Sequence, residues 1–122
     1  MKSHLLIAAL LAFSLQNSAA APQKPVPRLT GQEFVERFFN SVNLPASQQN
    51  AKMLVERELA LGYIAGVADA SQGKAWCDKS RVKTIEMDSE IAHEMRKLPP
   101  AMLEQDAASL ITELLKKRFA CT

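Results

Sequence analysis

The chain has 122 residues, 48% hydrophobic and 23% charged, with two cysteines, one tryptophan and four glycines, which suits one compact domain and excludes a disordered or multidomain chain. Fifteen Lys and Arg against thirteen Asp and Glu give a formal charge of +2, too small to hold nucleic-acid phosphates without a concentrated patch, so no nucleic-acid partner is expected. Few aromatics and abundant Ala, Leu, Glu, Lys and Gln favour helices over strands, and the expected fold is all-α, a small bundle of about four helices.

Residues 1–20 read as a secretory signal. Met1 to His4 is a short polar start with a cation, and Leu5 to Leu15 is an apolar run broken only by small residues and Ser14. That run falls well short of the roughly 20 residues a helix needs to span a bilayer, so no membrane anchor is expected after cleavage. Ser18, Ala19 and Ala20 supply small residues where a signal peptidase reads, and Pro22 disfavours a cut one residue later. The expected cut follows Ala20, the chain is expected to be exported, and the mature chain carries one basic residue fewer because Lys2 leaves.

Residues 21–29 hold Pro22, Pro25 and Pro27 with two cations and read as an extended leader; residues 30–122 form the single helical domain. Thr30 followed by Glu33 is a capping box, and Phe34, Val35, Phe38, Phe39 and Val42 recur at helical spacing, placing a first helix over about Gly31 to Ser41. Asn43, Leu44 and Pro45 break it. Ser47 can cap a second helix whose apolar residues Met53, Leu54, Ala60, Leu61, Ile64 and Val67 keep period to about Ser71, with Gly73 as its stop.

The stretch from Lys74 to Lys83 holds Trp76, Cys77 and four cations without a repeating apolar face, and reads as a loop. Thr84 can cap a third helix carrying Met87, Ile91, Met95 and Leu98 inward, ended by Pro99 and Pro100. A fourth helix is expected from Pro100, with Leu103, Ala107, Leu110, Ile111, Leu114 and Leu115 inward and Lys116, Lys117 and Arg118 at its negative end. Export into an oxidising compartment makes Cys77–Cys121 the one intramolecular pairing, with an intermolecular bridge or two free thiols as the alternatives. Closing a loop of about 45 residues stabilises a fold by roughly 4 kcal/mol on the chain-entropy model.

Catalytic layouts find little support. With His4 lost, His93 is the single histidine of the mature chain, and neither paired CxxC motifs nor calcium-loop carboxylates occur, so no metal and no cofactor is expected. A cysteine nucleophile would need His93 beside a free thiol. Glu86, Asp88, Glu90 and Glu94 read as the solvated face of the third helix rather than as an acid–base pair. The segment Gly62, Tyr63, Ile64, Ala65, Gly66, Val67, Ala68, Asp69 and Ala70 stands out, because two glycines inside a helix cost about 2 kcal/mol relative to alanine. Gly62, Gly66 and Ala70 make a smooth strip, read as an internal helix contact with a homodimer seam as the alternative. Asp69 sits against the dipole near the helix end and invites a buried hydrogen-bonding role.

In the order of its parts the chain resembles the Rap/Tai family of small periplasmic immunity proteins, which protect bacteria against effectors delivered by type VI secretion. The residues that carry the resemblance are the helix ending in GYIAGVADA (Gly62 to Ala70), Trp76 and Cys77, a helix closed by Pro99, and AASLITELLKKRFAC ending at Cys121. The resemblance implies an all-helical fold, frequent homodimers, and action by binding a toxic enzyme rather than by catalysis, some members occluding the active site of peptidoglycan amidases. The expected partner is therefore a toxic effector. The alternative is a periplasmic helical protein of the same fold with a structural, chaperone or stress role. For partner contact the residue-level candidate is the basic loop of Asp78, Lys79, Ser80, Arg81 and Lys83, which lacks a core pattern and is anchored at Cys77, so that it would lose little entropy on entering a cleft.

Overall fold

The computed structural model describes residues 28–40, 43–78 and 84–122. The signal, most of the leader, the end expected for the first helix and residues 79–83 lie outside the described residues. The fold is all-α, with α1 at Gly31–Phe39, α2 at Ala51–Ser71, α3 at Thr84–Arg96, α4 at Pro100–Leu103 and α5 at Ala107–Arg118.

Thr30 and Glu33 form the expected capping box. The Thr30 N–H donates to Glu33 Oε2 at 2.8 Å and the Glu33 N–H donates to Thr30 Oγ1 at 3.2 Å. These bonds favour the ionised carboxylate and hold Glu33 below the usual range. Phe34, Phe38 and Phe39 turn inward from the same helix. Ser47 does not cap the second helix: it lies in a short 3-10 turn, Ala46–Gln48, and Asn50 caps α2 by accepting from the Met53 N–H at 3.1 Å. The reason is local backbone. Pro45 opens the tight turn and Gln49 is extended (ψ 135°), so helical geometry restarts only after Asn50.

α2 buries Ala60, Ile64 and Ala68 against α1, α3 and α5. Beyond it Gly73 takes the left-handed region (φ 75°), where a side chain would be strained, and its N–H donates to the Trp76 carbonyl at 2.7 Å. That turn folds Trp76 back into the core, and the indole Nε1–H donates to the Ala68 carbonyl at 2.9 Å. Met87, Ile91 and Met95 fill the core from α3 as the periodicity predicted, with Ala92 between them. The largest fully buried side chains, Phe34, Ile64, Ile91, Met95, Ile111 and Leu115, come from four helices and make one cluster.

The helix expected to start near Pro100 is two helices. Asp106 accepts from the Ser109 N–H at 3.0 Å and caps α5 afresh. The break frees backbone for the chain entering α1: the Gly31 N–H donates to the Gln105 carbonyl at 2.9 Å and the Ala107 N–H to the Leu29 carbonyl at 2.8 Å. An uninterrupted helix would have kept those groups for itself. At this crossing a Cβ on Gly31 would meet Leu110 Cδ1 at 2.6 Å and the Leu103 carbonyl oxygen at 3.1 Å. Gly31→Ala should therefore lower unfolding stability by about 1–3 kcal/mol in denaturant titrations, the usual cost of overpacking.

Cys77 and Cys121 are bonded, with Cα atoms 4.9 Å apart across a separation of 44 residues. The same junction holds a Cys77 N–H to Phe119 carbonyl bond of 2.9 Å and Trp76 edge-on to Phe119 at 6.1 Å. Cys121→Ala should lose roughly 4 kcal/mol. By calorimetry that corresponds to a melting temperature lower by roughly 15–30 °C.

Candidate functional site

The basic loop begins at Cys77, half-buried and held by the disulfide, and at Asp78, which is exposed. Asp78 lines a pocket of about 270 Å³ with Asp69, Gln72 and Trp76, at the junction of α2 and the loop. Lys79, Ser80, Arg81 and Lys83 lie outside the described residues. On the far side of the loop the chain resumes as α3, where Ile85 is 73% exposed. Ile85 borders an open groove of about 700 Å³ between α1, α2 and α3, with Phe38 and Leu61 on its apolar side and Glu58, Glu86 and Glu90 on its acidic side. The Arg57 guanidinium lies over the Phe38 ring, 5.8 Å from its centre.

Among the described residues, the cysteines, His93, Glu90 and Glu94 are in structural use. Both thiols are consumed in the disulfide, which removes the nucleophile from the Cys–His layout. His93 Nδ1 lies 2.7 Å from the Ser89 carbonyl oxygen, which favours the proton on that nitrogen, and its ring stands edge-on to Phe39 at 5.0 Å. Glu90 and Glu94 are paired with Arg118 and Lys97, at 2.5 and 2.6 Å. Those two carboxylates are surface ion-pair partners, screened by solvent.

Asp88 departs from the solvated face on which the sequence placed it. Only 5% of it is exposed, and its Oδ1 is buried without a hydrogen-bond partner. Burial raises its pKa above the usual carboxylate value, and the Asp69 charge adds to the shift. An acid whose pKa is higher in the folded than in the unfolded chain makes stability fall as pH rises from the unfolded value to the folded one. Asp88→Asn removes that ionisation cost. The variant should be more stable than wild type at neutral pH in denaturant melts, with the difference shrinking as pH falls toward about 4.

The glycine segment is placed otherwise than as an internal contact. Gly62, Gly66, Asp69 and Ala70 are exposed, and among the described residues a Cβ built on Gly62 or Gly66 would have nothing within 4 Å. Of Gly62, Tyr63, Gly66, Asp69 and Ala70, only Tyr63 leans inward, its ring 6.4 Å from Phe34. Asp69 is correspondingly not a buried hydrogen-bonding residue. The physical reason is the phase of the helix. Ala60, Ile64 and Ala68 occupy the buried face, and the glycines fall on the other side. Val55 and Leu59 share that outer side and are 56% and 59% exposed. The sequence reading passed them over because they fall off the main apolar period of α2, and that misfit was the available signal.

The described residues form a small helical domain closed by one disulfide, with His93 and both thiols in structural use. The family model for Rap1a immunity proteins matches residues 27–121. The chain belongs to the Rap1a immunity protein family, whose members are generally non-enzymatic and typically periplasmic. No curated protein matches it. Among the described residues no helix is long and apolar enough to cross a membrane.

Proposed function

We propose that this chain is a periplasmic immunity protein that binds and blocks a toxic effector delivered by type VI secretion, with a peptidoglycan amidase as the target class. Membership of the Rap1a immunity family over residues 27–121 carries the reading. Oxidation of Cys77 and Cys121 fits export, because disulfides persist in oxidising compartments, and with it the signal of residues 1–20 cut after Ala20. In this reading the protein catalyses nothing, self-associates, and meets its target through the loop from Asp78 to Lys83, whose start is fixed by the Cys77 bond. A segment tethered at its base loses less freedom when it enters a cleft than a free one does.

The test is protection. Each cell-wall amidase secreted by the same bacterium is directed to the periplasm of a sensitive host, with and without this chain. Survival in the presence of the chain, and calorimetric binding of the purified pair, are expected; lysis undiminished for every amidase would defeat the proposal. With a proven partner, the triple variant Lys79→Ala, Arg81→Ala and Lys83→Ala should keep its melting temperature and bind at least tenfold more weakly, about 1.4 kcal/mol. Unchanged affinity would move the contact away from the loop.

A further inference from the structure

We draw no further inference here: the strongest candidate, the pocket of Asp69, Gln72 and Asp78 at the junction of α2 and the loop, carries none, because the buried Asp88 does not line it and no group of acids, histidines or cysteines among the described residues could hold a metal ion.

Discussion

The bond between Cys77 and Cys121 joins the segment leaving α2 to the tail of α5, and the neighbouring contacts depend on that junction. Trp76 is folded under Phe119 and hydrogen-bonded to the end of α2, while the backbone beside the bridge pairs Cys77 with Phe119. A domain of this size buries too little apolar surface for comfort, and a long closed loop limits the freedom of the unfolded chain instead. The residues before the basic loop are thereby held to the core.

α2 works as a two-sided element. Its inner side uses small residues, Ala60 and Ala68 flanking Ile64, so that neighbouring helices approach closely. Its outer side repeats the device with glycine and adds two large apolar residues. The contrast with Gly31 is instructive, because there the absent Cβ is matched by Leu103 and Leu110 of the same chain. At Gly62 and Gly66 no described residue supplies such a neighbour.

The functional reading follows from where reactive groups are placed. The cysteines are bonded to each other, His93 is packed on an aromatic ring, and Glu90 and Glu94 of α3 are tied to cations. Membership of the Rap1a immunity family implies a toxic effector as the partner. Asp88 stands apart as a buried acid with an unpaired oxygen, a local cost to stability within α3.

Several elements were legible in the residues alone because their causes are local. Thr30 with Glu33 set the start of α1, the four-residue spacing of Met87, Ile91 and Met95 set the buried face of α3, and a two-cysteine count allowed one internal bridge. The GYIAGVADA helix with Trp76, Cys77 and Cys121 was enough to suggest the family. Tertiary structure decided the rest. The break before Asp106 exists because the chain at Leu29 and Gly31 needs backbone partners there, and no signal near Pro100 records that need. Asp88 is buried although its neighbours Glu86 and Glu90 are not, since what lies over it comes from elsewhere in the chain. The sequence determined that Gly62 and Gly66 lie on one side of a helix; which way that side points was settled by the positions of α1, α3 and α5. Periodicity defines a face, and only distant residues decide what the face meets.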